Sequence, residues 1–305
     1  MKVVVLGAGA VGGFFGGKLA ACGFDVTFLV RKRRYEQLQN TGLHIKSIKG
    51  DFSIKPSLAV DANDIDQPKL VLVSLKNYHI EAALPELEKL VQKGAIILPL
   101  LNGMKHLKVL TERLGAENVL GGLCYIESTL NENGEIIHTS ALHDVAFGAI
   151  SDIDNSFLQD IKAMFEKAEV PVTLSETILE DMWKKYIFLT SLSGITTATR
   201  KPIGVALEDP VTFQFLKDLV SEVYTTAQTH TSNLPETTVD QVISKLQSLS
   251  PTMTSSMHRD LEKGLPIELE SLHGYFIQLA EEANIETPSI RAIYSLLHPY
   301  EQGEN

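Results

Sequence analysis

The first half of the chain alternates short apolar runs with amphipathic stretches. Val3 to Leu6, Val26 to Val30, Leu70 to Val73 and Ala95 to Leu98 are nearly unbroken runs of Val, Ile and Leu, the pattern of strands covered by helices on both faces. The stretches between them, such as Val11 to Cys22 and Tyr78 to Leu90, are long enough for crossover helices. The pattern therefore predicts an α/β fold with a doubly wound parallel sheet from Lys2 to about Ala149. Between Asn118 and Gly148 it becomes β-rich around Asn131-Glu132-Asn133-Gly134, whose Asn-Gly pair predicts a hairpin on one edge of that sheet. A helix over Phe157 to Ala168 and a last short strand over Val170 to Leu174 complete this half. After Ser175 the strand pattern stops, and Gly194, Pro202, Pro210, Pro235, Pro251, Pro266 and Pro288 punctuate helical stretches. Two domains are expected, a sheet domain over residues 1–174 and an all-helical domain over 175–305, with Ser248 to Ser256 a loop leading into a helix.

Composition narrows the function. The 305 residues carry 27 Lys and Arg against 38 Asp and Glu, a net charge of −11, which disfavours wrapping a nucleic-acid backbone because that requires clustered cations. No apolar run reaches the roughly eighteen residues of a membrane span. The apolar stretch of Met1 to Gly7 is too short for a signal peptide. Cys22 and Cys124 form no redox or metal pair by spacing, so a reduced, cytoplasmic, soluble protein is expected. The nine His residues are scattered without an HExxH pair or a Cys/His cluster, so no metal site is expected.

Gly7-Ala8-Gly9-Ala10-Val11-Gly12 reads GxGxxG directly after a strand pattern and directly before a helix pattern. In that setting the first glycine permits the tight turn, the second lets a pyrophosphate approach the backbone, and the third lets helix and strand pack closely. The free amides of the helix start then face the anion. An ordinary Gly-rich turn would not need all three features in register, so a Rossmann-type dinucleotide site is predicted at Gly7, Gly9 and Gly12. An NAD site places a carboxylate about twenty residues past the glycines for the ribose 2′-hydroxyl, whereas this chain has Val30-Arg31-Lys32-Arg33-Arg34. Arg31, helped by Lys32 or Arg33, suits the 2′-phosphate of NADP(H), which a guanidinium pairs bidentately. Ser74-Leu75-Lys76 and Leu101-Asn102-Gly103 lie at carboxyl ends of predicted strands, where open α/β sheets bind ligands, which makes Lys76 and Asn102 candidates.

Three features stand out in the helical half: Met182-Trp183-Lys184-Lys185, Ser256-Met257-His258-Arg259-Asp260, and Glu268 shortly after Pro266. Each alone fits a solvated helix face or a favourable first helical turn. Together with the glycine turn they resemble the ketopantoate reductase (2-dehydropantoate 2-reductase) family along nearly the whole chain. The resemblance is carried by Gly7, Gly9, Gly12, Arg31, Ser74-Leu75-Lys76, Asn102-Gly103-Met104, Trp183-Lys184-Lys185 and the spacing SM-x2-D-x3-G-x3-E-x5-G from Ser256 to Gly274. It implies a Rossmann-type domain followed by a helical domain of the 6-phosphogluconate dehydrogenase C-terminal type. It also implies hydride transfer from NADPH to the 2-keto carbon of ketopantoate, giving pantoate on the route to pantothenate and coenzyme A. Lys185 would be the general acid, Glu268 its companion at the substrate hydroxyl, and Ser256 a carboxylate contact. Asn102, Ser193 and Asp260 would line the substrate, and Lys76 and Asn102 the nicotinamide. A small 2-keto acid would be the partner, with a homodimer as the assembly.

A lysine suits this chemistry, because a positioned ammonium both stabilises the oxygen that gains charge and supplies its proton. Lys184 and Lys185 are offset by about 100° on a helix, so only one can point to a given cleft, and the family pattern selects Lys185. In one respect the chain departs from the family. Leu189 stands one turn after Lys185, where the family commonly has Asn, and Ser193 replaces a second Asn one turn later. Lys185, Leu189 and Ser193 share an i, i+4, i+8 face, so Leu189 removes a polar contact and opens the alternative of a different, more apolar 2-keto acid. A catalytically silent NADP-binding protein is the third reading, against which the retention of Lys185 with Glu268 speaks.

Overall fold

The computed structural model describes residues 1–231 and 233–303. Its elements run in the order β1 (Lys2–Leu6), α1 (Ala10–Ala21), β2 (Asp25–Leu29), α2 (Lys32–Thr41), β3 (Leu43–Ser47), β4 (Phe52–Ile54), β5 (Ser57–Ala59), β6 (Leu70–Val73), α3 (Ile80–Gln92), β7 (Ile96–Pro99), α4 (Lys105–Leu114), β8 (Leu120–Leu130), β9 (Ile136–Ala149), α5 (Asn155–Lys167) and β10 (Val172–Leu174). Helices follow: α6 (Ile178–Thr199), α7 (Ile203–Glu208), α8 (Pro210–Gln228), α9 (Thr238–Gln247), α10 (Ser256–Glu262), a π-helical turn over Glu270–Gly274, α11 (Tyr275–Glu282) and α12 (Pro288–Leu297). Packing divides the chain into one unit of Met1–Leu101 with His106–Leu179 and a second of Asn102–Lys105 with Glu180 onward. Among the described residues no helix is long and apolar enough to cross a membrane, and no three His, Cys, Asp or Glu form a group that could hold a metal ion.

The first unit holds a Rossmann-like parallel sheet ordered β5-β2-β1-β6-β7. Its central strands are β1 and β6, and Val3, Val4, Val5, Leu70, Val71, Leu72 and Val73 have no exposed surface, which is why they read as unbroken apolar runs. A second sheet, ordered β10-β9-β3-β4 with β8 paired to β9, was not expected from the sequence. Its strands β3 and β4, like β5 of the first sheet, are three to five residues long and none is continuously buried, so no apolar run marks them. The hairpin predicted around Asn133-Gly134 is β8–β9, and it belongs to this second sheet rather than to an edge of the first. Val119, just before β8, makes an isolated bridge to Ile97 on β7.

Helix α1 explains how the sheets share one core. An added Cβ at Gly16 would lie 2.6 Å from Val5 on the first sheet, and one at Gly13 would run into Ile136 on the second. Glycines at these positions let α1 lie close against both layers, which outweighs their cost of about 1 kcal/mol each in a helix interior.

In the second unit α6 is buried on nearly every side. It carries Ser and Thr among its apolar residues, and several hydroxyls return to the carbonyl one turn back: Ser191 to Ile187 at 2.9 Å, Thr196 to Leu192 at 2.7 Å and Thr199 to Ile195 at 2.7 Å. Such back-bonding lets a polar helix lie inside a core. The Glu222 carboxylate of α8 accepts the amides of Ser289 and Ile290 at 2.9 to 3.1 Å, capping α12 from a distant element where its dipole favours an anion.

Candidate active site

In the first unit the turn from β1 to α1 is fixed by contacts that only glycine allows. Gly7 has φ +100°, and a Cβ there would stand 2.6 Å from the Ser74 carbonyl; a Cβ on Gly12 would strike the Gly7 carbonyl oxygen. Ser74 is itself tied to β1, its amide donating to the Leu6 carbonyl at 3.1 Å. The structure thus brings Gly7, Gly12 and the Ser74-Leu75-Lys76 segment together. Around Gly9 the situation is opposite: a Cβ would meet nothing within 4 Å. Gly9 is also the N-cap of α1 and offers no side-chain cap, so the first-turn amides lack an intrahelical acceptor. An open face lined by free N–H groups at a helix start is what a pyrophosphate requires.

Arg31 is the N-cap of α2, and Arg31, Lys32 and Arg33 are all exposed. Three cations therefore surround a helix N-terminus that already carries partial positive charge, and the run Arg31-Lys32-Arg33-Arg34 contains no carboxylate. His79 lies within electrostatic reach: burial, and secondarily the Arg31 charge, lower its pKa. Lys76 is half-buried and caps the short 3₁₀ turn over Asn77–His79.

Arg34, one turn further along α2, has a role the run of four basic residues did not reveal. Its Nε donates to the Ala8 carbonyl inside the glycine turn at 3.2 Å, and its Nη2 to the Gly134 carbonyl at the tip of β8–β9 at 3.1 Å. Gln37 accepts from Arg34 Nη1 at 2.7 Å and donates to the Asn133 carbonyl at 3.0 Å. Burial lowers the Arg34 pKa, but a guanidinium stays charged at any physiological pH. Arg34 therefore braces the glycine turn from the protein side.

In the second unit Lys185 is 6% exposed, while its neighbour Lys184 is half-buried. Glu268 is also buried, 7% exposed. Its backbone carbonyl accepts the Leu272 amide at 3.1 Å and the Ser271 hydroxyl at 3.2 Å, which fixes Glu268 at the mouth of the π-helical turn. In that turn the Tyr275 amide reaches back five residues to the Glu270 carbonyl. Tyr186, next to Lys185, points its hydroxyl at the Leu272 carbonyl at 2.7 Å and the Ser271 carbonyl at 3.2 Å. Burial pushes the Tyr186 pKa well up, keeping the hydroxyl a donor.

The loop after β7 is packed on the same turn. Gly103, with φ +80°, leaves so little room that a Cβ would sit 3.1 Å from the Ser271 carbonyl, and Lys105 pairs with Glu270 at 3.7 Å. Asn102 thus belongs to the packing unit that contains Lys185 and Glu268. Ser193 is buried on α6 and Leu189 half-buried.

The stretch from Ser256 to Gly264 is partly structural. Ser255 is the N-cap of α10, accepting the His258 amide at 3.0 Å, and Ser256 is exposed. At the other end the Leu265 amide donates to the Asp260 carbonyl at 2.9 Å and the Gly264 amide to the Leu261 carbonyl at 3.0 Å. With Gly264 at φ +63° this is a Schellman cap, so the Asp-to-Gly spacing also serves helix termination. Asp260 is half-buried.

The profile described as ketopantoate reductase PanE/ApbA matches residues 3–152, and that described as ketopantoate reductase PanE/ApbA C terminal matches residues 177–301. The chain is 36% identical over 301 residues to the uncharacterized oxidoreductase YkpB of Bacillus subtilis (strain 168), covering 99% of each chain. It is 29% identical to the 2-dehydropantoate 2-reductase of Nostoc sp., covering 97% of this chain and 94% of the other. The crystal structure of 2-dehydropantoate 2-reductase from Geobacter metallireducens superposes with a TM-score of 0.89 at 26% identity, covering 98% and 99% of the two chains.

Proposed function

We propose that this chain, which belongs to the ketopantoate reductase family, is an NADPH-dependent reductase that converts ketopantoate to pantoate for pantothenate and coenzyme A synthesis. The observation that carries the reading is a lysine withdrawn from solvent, Lys185, on a helix whose next residue is bonded to the turn following Glu268. Lysines are seldom buried this deeply for packing alone.

The residues present fit a dinucleotide. Gly7, Gly9 and Gly12 would cradle its pyrophosphate on the first amides of α1, Arg31 with Lys32 or Arg33 would hold the 2′-phosphate, and Lys76 and Asn102 would line the nicotinamide. When bound, NADPH supplies the hydride. Lys185 stabilises the charge that grows on the keto oxygen and gives it a proton, a contribution of about 10² to 10⁴ in rate. Glu268 accepts a hydrogen bond from the resulting hydroxyl. Ser256, Ser193, Asp260 and Asn102 are assigned to substrate contact, with exposed Ser256 able to reach a ligand carboxylate. Oxidoreductase chemistry on a small-molecule substrate is the activity of the family; ketopantoate as the substrate, the preference for NADPH, a cytoplasmic location and a homodimer are parts of the proposal.

A second reading is favoured by Leu189. Half-buried on the same helix as Lys185, it offers an apolar surface where a polar group would hold a hydroxyl-bearing substrate, which suits a more apolar 2-keto acid. The test is loss of NADPH absorbance with ketopantoate and with a panel of aliphatic and aromatic 2-keto acids. Turnover of ketopantoate at the highest kcat/KM supports the first reading, and preference for an acid without a hydroxyl supports the second. Leu189→Asn should improve ketopantoate use severalfold; no change would remove Leu189 from the substrate face.

A further inference from the structure

The π-helical turn over Glu270–Gly274 is the junction of the second unit. π-turns are rare, and each disturbs the regular ladder of amides and carbonyls, so one that persists is held by its surroundings. Two residues hold this one against α6. Tyr186 is 1% exposed, its ring stacks on Phe276 with centroids 4.1 Å apart, and its hydroxyl reaches the Leu272 and Ser271 carbonyls. A Phe would fill the same volume without the cost of burying a hydroxyl, so packing alone does not account for the tyrosine. One turn along α6, the Thr190 carbonyl is bonded to His273 Nε2 at 3.1 Å. His273 is fully buried, and Gly194 makes room for it, since a Cβ there would lie 2.7 Å from His273 Nε2.

We propose that Tyr186 and His273 are positioning residues that pin α6 to the π-helical turn at two points and so fix the register of Lys185 relative to Glu268. The inference rests on Lys185 being the proton donor. Apolar packing confines α6 but does not by itself set its register to a fraction of an ångström; two directional attachments four residues apart narrow the small rotations and slides that packing leaves. Proton transfer is sensitive to such displacements, because misplacement by about 1 Å can cost 10²-fold in rate. Neither residue touches the reacting atoms in this account, and both act through Lys185.

The test compares Tyr186→Phe, His273→Leu and His273→Gln, each alone and in a Lys185→Ala background, for turnover of ketopantoate with NADPH, together with amide hydrogen exchange over residues 268–276 of the unliganded chain. Tyr186→Phe and His273→Leu are each expected to lower kcat by about tenfold with the Michaelis constant for NADPH unchanged. Exchange over the π-turn should rise in both, and His273→Gln, which retains a donor near the Nε2 position, should recover most of the loss. In the Lys185→Ala background neither substitution should lower the residual rate further. An undiminished kcat in Tyr186→Phe and His273→Leu, or the same tenfold loss with Lys185 already absent, overturns the proposal while leaving the reductase reading intact. Full turnover by Lys185→Ala alone, or no turnover of ketopantoate or of any other 2-keto acid by the unaltered chain, overturns both. Should Tyr186→Phe fail to fold, the His273→Leu and His273→Gln pair decides by the same criteria.

Discussion

The glycine turn and the π-helical turn solve opposite problems. At the glycine turn the useful feature is space: Gly9 has nothing within 4 Å of where a side chain would begin, and the groups proposed to bind are backbone amides. At the π-turn the useful feature is occupancy, with Tyr186, His273 and Gly103 fitted around irregular backbone. In the proposed function the first arrangement would recognise an anion through atoms every residue possesses, so it would be damaged by adding atoms. The second holds particular side chains in register and is damaged by removing them. Changes at the first should therefore appear in cofactor binding, and changes at the second in turnover.

Lys185→Ala gives the sharpest form of that contrast. It should lower kcat by about 10² to 10⁴ while the dissociation constant for NADPH, read by fluorescence titration, stays within about twofold; comparable losses in both would dissolve the distinction between the two regions.

The pH dependence of stability comes next. Burial holds the His273 imidazole down to about 4, against an ordinary 6.5. Its folded pKa lies below its unfolded one, so the unfolded chain takes up the proton first as pH falls. Stability is complete above about pH 6.5 and declines toward pH 4, by about 3 kcal/mol from this group. Urea unfolding of His273→Gln should show a shallower decline over that window than the unaltered chain, and an identical slope would mean that His273 is protonated without cost.

Two glycine substitutions separate space from occupancy within the first region. Gly12→Ala forces a Cβ onto the Gly7 carbonyl and should lower stability by about 1 to 3 kcal/mol as well as abolish cofactor binding. Gly9→Val places its Cβ where nothing lies within 4 Å, so its melting temperature should hold while NADPH binding weakens by about 10- to 100-fold. A stable Gly9→Val that binds normally would contradict the assignment of the pyrophosphate to that face.

The smaller effects concern the basic end of β2. Arg31→Ala should raise the Michaelis constant for NADPH by about tenfold or more and leave that for NADH nearly unchanged. Arg34→Gln, which loses the brace on Ala8, should weaken both cofactors alike by roughly fivefold, the value of about one hydrogen bond. Equal effects of Arg31→Ala on the two cofactors would remove the argument for NADPH.

These regions also differ in how readily the sequence discloses them. The glycine turn is local: its residues are contiguous, and the flanking strand and helix are visible as an apolar run and an amphipathic stretch. β6 and β7 are equally plain, as is β1 after Lys2, because no polar position interrupts their runs, while β2 is still legible from Val26, Phe28 and Leu29 around Thr27. β3, β4 and β5 are hidden by short length and mixed exposure, and the second sheet with them, since β9 finds β3 only in three dimensions. Arg34 is a basic residue among four until its contacts with Ala8 and Gly134, 26 and 100 positions away, are seen. Tyr186 and His273 act across 86 and 83 positions, a separation at which neither periodicity nor spacing carries information. At Ser255-Ser256 two identical neighbours compete for the N-cap, and only the backbone shows that Ser255 takes it.

If Lys185 supplies the proton that accompanies hydride transfer, that proton can be restored from solution. Turnover of ketopantoate with NADPH by Lys185→Ala should be severely reduced and then rise in proportion to added methylammonium, while the unaltered chain gains nothing from the amine. A Lys185→Ala chain that turns over at the unaltered rate without the amine would contradict the account.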